Sequence, residues 1–109
     1  MMDFPISQGM HRTMLNKHSY IIYSFIVPGD RLRPSVRIEV NATNNVSVYV
    51  VDGNGLNDFQ NIKQFRYYNG RDSTFYFNEK FNLPLPGTYN LLIVNRNQFP
   101  VDVSYGAFV

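Results

Sequence analysis

Arginine and tyrosine side chains near two predicted turns are the residues of this sequence most suited to binding a ligand. Guanidinium groups hold carboxylates and phosphates through paired hydrogen bonds, and an exposed tyrosine adds an aromatic face. This set predicts a site for an anion, a glycan or an acidic partner. The alternative is that these are solvated charges at strand ends, which discourage edge-to-edge aggregation. The candidates are Arg31, Arg33, Arg37, Arg66, Tyr68 and Arg71.

A second candidate site is the segment 52–58, Asp-Gly-Asn-Gly-Leu-Asn-Asp, which gathers oxygen ligands as calcium loops do. It is not an EF-hand, because Leu56 and Lys63 occupy the fifth and twelfth positions, where oxygen ligands are required. The composition favours a tight glycine and asparagine turn instead. We therefore expect no cofactor, and calcium is the one ion to consider. Its candidate ligands are Asp52, Asn54, Asn57 and Asp58.

The sequence holds no recognisable catalytic constellation. His11 and His18 are its two imidazoles, and no spacing joins them to further metal ligands, so both are interpreted as surface residues. The absence of cysteine excludes a thiol nucleophile, a disulfide framework and a zinc–thiolate site. There is no Gly-x-Ser-x-Gly elbow and no phosphate-binding loop. The protein is predicted not to be an enzyme, and a small hydrolase with two acids brought together by folding is the third alternative.

Length and charge restrict the possible partners. The chain has 109 residues, which is enough for one domain, and a net charge of +2. Its ten lysines and arginines are scattered, whereas nucleic-acid binders concentrate them on one face. No apolar run is long enough to span a bilayer, and no signal peptide is visible. We expect a soluble protein, with the cytoplasm slightly favoured and the compartment otherwise unknown.

Alternating apolar residues predict an all-β protein, an antiparallel β-sandwich of seven or eight strands. Residues 1–18 are interpreted as an N-terminal arm with one short strand near residues 10–15, and residues 19–109 as the sandwich. That strand either belongs to a partly ordered tail or pairs as an edge strand, with the sheet or with a neighbouring subunit. The strands of the sandwich are predicted at 19–27, 35–42, 46–51, two hairpin arms within 65–77, 88–94 and 101–108.

The segment 88–94 is predicted to lie inside a sheet, because apolar residues occupy both of its faces. Two other features are turns. Residues 43–45 should reverse the chain, and Asn69-Gly70 should form a hairpin with a three-residue loop over 68–70. That register places Phe65, Tyr67, Phe75 and Phe77 on one face. Residues 56–65 could form a short helix or a loop, and residues 81, 83 and 85 should fill a core edge.

The order of these features resembles two families of small jelly-roll-like sandwiches. An aromatic strand ends in Pro-Gly-Asp at 28–30, a valine-rich strand covers 45–52, and Pro-Gly-Thr-Tyr-Asn-Leu-Leu-Ile-Val-Asn covers 86–95. The layout is similar to the GOLD domain and to the bacterial pre-peptidase C-terminal domain. The resemblance implies a non-catalytic module for protein or glycan interaction. Many pre-peptidase modules have paired aspartates for calcium where this chain has Asn45 and Ser47.

These observations support a ranked set of functions. The first is a non-catalytic interaction module that binds a protein partner or associates with itself as a homo-oligomer, because aromatic residues exceed the needs of a small core. The alternative is a glycan- or anion-binding module that uses tyrosine and arginine at the loop tips. No nucleic acid and no membrane span are expected.

Overall fold

A computed structural model describes residues 9–30 and 32–109. Within these residues the chain forms six antiparallel strands and one helix, which confirms the all-β sandwich. The count is lower than predicted because two predicted strands are one continuous strand and one hairpin arm is not a strand. The elements are β1 (His11–Leu15), β2 (Tyr20–Val27), β3 (Ser35–Val51), α1 (Gly53–Gln60), β4 (Asn69–Asn82), β5 (Gly87–Val94) and β6 (Val101–Phe108).

The long strand β3 joins the two layers of the sandwich. Its first half pairs with β6 over residues 37–42, and its second half pairs with β5 over residues 47–51. Strand β4 pairs along the other side of both halves. The order is β1–β6–β3–β5–β2, so β5 lies inside the sheet between β3 and β2, as the apolar residues on both of its faces predicted.

The predicted turn at residues 43–45 is wrong. Strand β3 continues through Thr43, Asn44 and Asn45, and its pairing with β4 shifts register between Asn41 and Val46. Irregular pairing of this kind bends a strand and increases its twist without ending it. The polar, asparagine-rich segment is therefore the bend at which β3 passes from one layer to the other.

The predicted hairpin at Asn69-Gly70 is also wrong. Gly70 lies inside β4 and pairs with Tyr49, so β4 is a partner of β3 and not the second arm of a local hairpin. The loop before β4 joins the sheet where the Tyr68 N–H donates to the Val50 carbonyl at 2.8 Å. Phe77 is buried but Phe75 is 63% exposed, so the predicted common face of these aromatic residues does not form.

An ion pair shows how sharply β4 bends. Arg71 and Glu79 both belong to β4, and eight extended residues span roughly 26 Å. Their side chains nevertheless meet, with Arg71 Nη2 2.7 Å from Glu79 Oε2, and Asn69 Nδ2 donates to Glu79 Oε1 at 3.1 Å. Strand β4 and the paired β3 therefore fold back on themselves between residues 71 and 79 of β4.

The main core lies between the two layers and follows the predicted alternation. The inward residues of the first half of β3 are buried while Arg37 and Glu39 remain half-buried. Leu83 helps to fill the core edge and Phe81 packs partly against it, but Leu85 is 67% exposed and does not contribute as predicted. Buried core residues from four strands include Phe25, Val27, Val36, Ile38, Val40, Leu91, Ile93, Val101 and Val103.

The predicted strand near residues 10–15 is present as β1, which pairs with β6 at one end of the sheet. Residues 1–8 of the predicted arm lie outside the described residues. The buried side chain of Asn95 fixes the end of β1, because its amide nitrogen lies 3.0 Å from the Leu15 carbonyl and 2.9 Å from that of Phe99. In the described part of the chain, α1 is far too short to cross a membrane.

Candidate binding surfaces

The predicted arginine and tyrosine site is divided among separate places. Arg31 lies outside the described residues, and Arg33 is exposed in the segment between β2 and β3. Arg37 is paired with Glu39 at 2.8 Å and stacks over the Phe108 ring at 4.3 Å. Arg71 is held in its pair with Glu79. Of the described residues in the predicted set, Arg66 and Tyr68 share one cleft.

This cleft, here called the Tyr68 cleft, is lined by Asp52, Arg66, Tyr67 and Tyr68 and has a volume of about 310 Å³. The Tyr68 hydroxyl donates to Asp52 Oδ2 at 2.9 Å. Burial, and then the Asp52 carboxylate, raise the pKa of Tyr68. The cleft therefore combines a cation, a carboxylate and two phenol rings, which is the chemistry expected for a polar, hydroxyl-rich ligand.

The predicted calcium segment is helical instead of a turn. Asp52 is the N-cap of α1, and its Oδ1 accepts a hydrogen bond from the Gly55 N–H at 2.8 Å. This bond is the main cause of a lowered pKa at Asp52, with the Tyr68 hydroxyl adding to it. Asn54, Asn57 and Asp58 lie within the helix. The Asp58 carbonyl accepts the Lys63 N–H at 2.9 Å, so this part of the segment ends the helix.

A second surface, here called the aromatic groove, lies between α1 and the outer face of the β2–β5 layer. Its volume is about 370 Å³. Phe59 of α1 makes edge-to-face contacts with Tyr20 at 5.0 Å and with Phe65 at 5.5 Å. Helix α1 and Phe65 also cover the buried residues Leu92 and Val94 of β5. The groove is lined by Tyr20, Phe59, Gln60, Ile62, Lys63, Phe65 and Arg96.

The helix next to this groove ends in an unusual way. The Ile62 N–H donates to the Phe59 carbonyl at 3.1 Å and the Lys63 N–H to that of Asp58, the pair of bonds that defines a Schellman motif. The motif requires a left-handed residue, which is normally glycine, and here it is Ile62 with φ of 57°. A β-branched residue in this region costs about 1–2 kcal/mol. The side chain is 96% exposed, so burial does not offset this cost.

A polar network lies on the other side of Arg96. Arg96 Nε donates to Ser47 Oγ at 3.2 Å, and Ser47 Oγ donates to the Asp72 carbonyl at 2.6 Å. The Tyr49 hydroxyl donates to the Asp72 carboxylate, and burial raises the pKa of Tyr49. Ser47, Asp72 and Arg96 border a hollow of about 150 Å³ that is also lined by Asn45. The network holds the β3 and β4 backbones together beside their register shift.

The two histidines differ in their surroundings. His18 is exposed, as predicted, and its Nε2 lies 3.1 Å from Gln98 Oε1. His11 is half-buried, so its interpretation as a surface residue is wrong. Its ring lies against Tyr23 at 4.8 Å and Tyr105 at 5.5 Å, and among the described residues its buried Nε2 has no hydrogen-bond partner.

The third surface is the outer edge of β2. In the described part of the chain β2 pairs with β5 alone. The Asn95 N–H donates to the Ser19 carbonyl at 2.8 Å, so the odd-numbered residues of β2 point their backbone groups towards β5. The even-numbered residues, from Tyr20 to Ile26, therefore direct N–H and C=O groups outwards. Ile22 and Ile26 on this strand are 38% and 68% exposed.

Sequence reasoning missed the edge of β2 and the aromatic groove. The edge had a visible signal, because residues 20–27 contain no charged side chain. For the groove, residues 56–65 were expected to form a short helix or a loop, but their sequence does not indicate that Leu56, Phe59 and Phe65 pack on the outer face of the sheet. The left-handed Ile62 has no signal in sequence, since isoleucine is among the residues least suited to that conformation.

No protein-family model matches the sequence, and a search of curated proteins also found no match. A search of solved structures found the pre-peptidase C-terminal domain of a collagenase from Bacillus anthracis, with a TM-score of 0.66 and 12% sequence identity. The match covers 92% of this chain and 88% of that one. The chain has the fold of that domain. The resemblance inferred from the sequence is therefore confirmed at the level of fold.

Proposed function

We propose that this domain is a non-catalytic interaction module, and that it associates with a second copy of itself by adding a strand at the edge of β2. The proposal depends on the observation that β2 is an uncharged strand with outward backbone groups and exposed isoleucines. An unprotected edge of this kind is a template for pairing with another strand. The fold shared with a pre-peptidase C-terminal domain supports an accessory role.

The other outer strands are protected against such pairing. Strand β4 carries Arg71, Asp72, Glu79 and Lys80, and the short β1 carries Arg12, which is paired with Asp102. Charged residues on an edge disfavour the approach of another strand because pairing would remove them from water. This contrast favours β2 as the site of association.

The sequence of β2 suits antiparallel pairing with an identical strand. A two-fold axis at Ser24 would place Ile22 of one copy opposite Ile26 of the other. All three of these residues direct their backbone groups outwards, so this register forms about six backbone hydrogen bonds. Pro28, which lacks an N–H, then stands at the end of the paired segment. The isoleucines of the two copies would cover each other on the outer face.

The test is the molar mass in solution, measured by sedimentation velocity at micromolar concentration. We expect the wild-type chain to form a dimer and Ile26→Lys to sediment as one chain. Ile26 is 68% exposed, so the substitution should change the free energy of unfolding by no more than about 0.5 kcal/mol.

Phe75→Lys is the matched control, because Phe75 is 63% exposed on the charged strand β4. It should leave the dimer intact. A wild-type mass equal to one chain across the concentration range would refute the proposal, and so would equal dissociation by the two variants.

A second candidate function is the binding of a glycan or an anion in the Tyr68 cleft. The cleft offers Arg66 as a donor, Asp52 as an acceptor and exposed tyrosine rings for stacking, a combination found in polar ligand sites. A glycan array that includes acidic sugars provides the probe. Binding that falls at least about tenfold in Tyr68→Ala and Arg66→Ala, with Arg33→Ala unchanged, would support this function. No bound glycan, or equal binding by all variants, would exclude it.

A further inference from the structure

We propose that the aromatic groove is a binding site for a small monocarboxylate with an apolar tail, and that Ile62 forms the lip that covers this tail. The groove shares Tyr20 with β2, but the inference depends neither on association at that edge nor on the Tyr68 cleft. Four observations lead to the inference: the conformation of Ile62, the groove's aromatic walls, its charge and its size.

The first observation is the backbone of Ile62. Its φ of 57° is a conformation in which glycine or asparagine would be unstrained. The side chain of Ile62 is 96% exposed, so it gains no burial in this fold that would offset the strain. Strain of this kind collects at ligand sites, where the side chain has a use that the folded protein alone does not show.

The second observation is the composition of the walls. The rings of Tyr20, Phe59 and Phe65 follow one another along the groove in edge-to-face contacts. With Ile62 at the rim, these groups form an apolar surface that an aliphatic or aromatic tail could cover. Burial of apolar area is the main favourable contribution for such a ligand.

The third observation is the sign of the charge. Lys63 and Arg96 both line the groove, and among the described residues its lining includes no acidic side chain. Neither cation takes part in the ion pairs of the described chain. The guanidinium of Arg96 also bonds to Ser47 Oγ and to the Tyr49 side chain, so a carboxylate would use its remaining N–H groups together with the ammonium of Lys63.

The groove lies beside the C-terminal end of α1. This position could oppose the binding of a carboxylate, because the C-terminus of a helix repels anions. The carbonyl groups of Asp58 and Phe59 are already bonded to the N–H groups of residues 61–63. Two nearby cations outweigh the partial negative charge that remains. A volume of about 370 Å³ lies in the range of small-molecule sites, and a single charged head with an apolar tail matches the arrangement of two cations beside a ring-lined wall.

The experiment measures binding of octanoate and 3-phenylpropionate by chemical-shift titration of the full chain. The neutral probes octanol and 3-phenylpropanol separate the contribution of the carboxylate from that of the tail. We expect both acids to shift signals from residues 59–65 and 96, and to bind at least about tenfold more tightly than the alcohols.

Ile62→Gly separates a ligand role from a structural role. The substitution should raise the melting temperature because it removes strain, and it should weaken octanoate binding by about fivefold because it removes the lip. Lys63→Gln should weaken the binding of both acids and leave the binding of the alcohols unchanged. Lys80→Gln, on a strand remote from the groove, is the matched control and should bind as the wild type does.

Three outcomes would overturn the proposal. The first is the absence of shifts around the groove with either acid. The second is equal affinity for acids and alcohols, which would show that the cations do not participate. The third is an Ile62→Gly variant with unchanged octanoate binding, which would show that the isoleucine does not contact the ligand.

Discussion

Asp52 has two structural roles that its sequence context did not indicate. One carboxylate oxygen caps α1 through the Gly55 N–H, and the other accepts the Tyr68 hydroxyl. The same residue therefore starts the helix beside the aromatic groove and forms one wall of the Tyr68 cleft. Asp52 is thus the residue that connects two candidate binding surfaces.

Removal of this cap should destabilise the domain. Asp52→Ala loses the bond to Gly55 and is expected to lower the free energy of unfolding by about 1 kcal/mol. Asp52→Asn keeps an acceptor oxygen, so its free energy of unfolding should fall by less than half of that amount. Urea unfolding monitored by tyrosine fluorescence measures both variants. Equal effects of Ala and Asn would show that the cap is not the source of the stability.

The same carboxylate predicts a pH dependence. The pKa of Asp52 is lowered in the folded protein by the Gly55 N–H, so the unfolded chain binds its proton more readily. The resulting stability is fully present above the unfolded pKa, near pH 4, and is lost as the pH falls through the folded value. Between about pH 5 and pH 2 the wild type should lose stability more steeply than Asp52→Asn. Parallel curves for the two proteins would contradict this.

At the scale of elements, two glycines of α1 provide a matched comparison. A Cβ at Gly55 would lie 2.7 Å from the Arg66 carbonyl oxygen, whereas a Cβ at Gly53 would meet nothing within 4 Å. Alanine gains up to about 1 kcal/mol over glycine in a helix, but a backbone clash outweighs this gain. We expect Gly53→Ala to stabilise and Gly55→Ala to destabilise the domain by about 1–3 kcal/mol in thermal unfolding. Destabilisation by both would show that α1 does not tolerate alanine for another reason.

Alternation in the sequence was sufficient to predict the inward faces of most strands, because each strand has one face in the core. It did not determine which strands are neighbours. Asn69-Gly70 has the composition of a local hairpin, yet glycine is needed there because a Cβ at Gly70 would lie 2.5 Å from the Val48 carbonyl oxygen. A glycine that permits close approach and one that permits a turn look identical in sequence.

The candidate sites were predictable to a smaller extent. Arg66 and Tyr68 were predicted together and do line one cleft, because the loop before β4 bonds to the end of β3. Arg37 and Arg71 were grouped with them, but each has an acidic partner. Glu39 lies two residues from Arg37 on the same face of β3, so the alternation of that strand already places the two side chains together. Glu79 meets Arg71 only because β4 bends, and local patterns do not encode that bend. The role of Asp52 as a helix cap was not predicted, because the helix over residues 53–60 was not recognised.

At the scale of the whole molecule, two aromatic residues of β4 differ in burial: Phe77 pairs with Val40, whereas Phe75 lies where the register between β3 and β4 shifts. Phe77 is 1% exposed in the main core and Phe75 is 63% exposed. Phe77→Ala should cost about 3–5 kcal/mol and Phe75→Ala less than about 0.5 kcal/mol in chemical denaturation. The loss expected for Phe77→Ala approaches the total free energy of unfolding of a small domain. Comparable losses in the two variants would mean that the register of β4 is different.

The pairing of β1 with β6 joins the first strand of the described chain to the last. During synthesis on the ribosome, β1 and β2 emerge well before β6 can pair. The layer made by β1, β6 and the first half of β3 can therefore close only after residues 101–108 have left the exit tunnel. Until then Leu15, which the closed layer buries, stays exposed. We expect the dependence of this domain on chaperones in the cell to be governed by the time between the emergence of β1 and that of β6, and not by the stability of the folded domain.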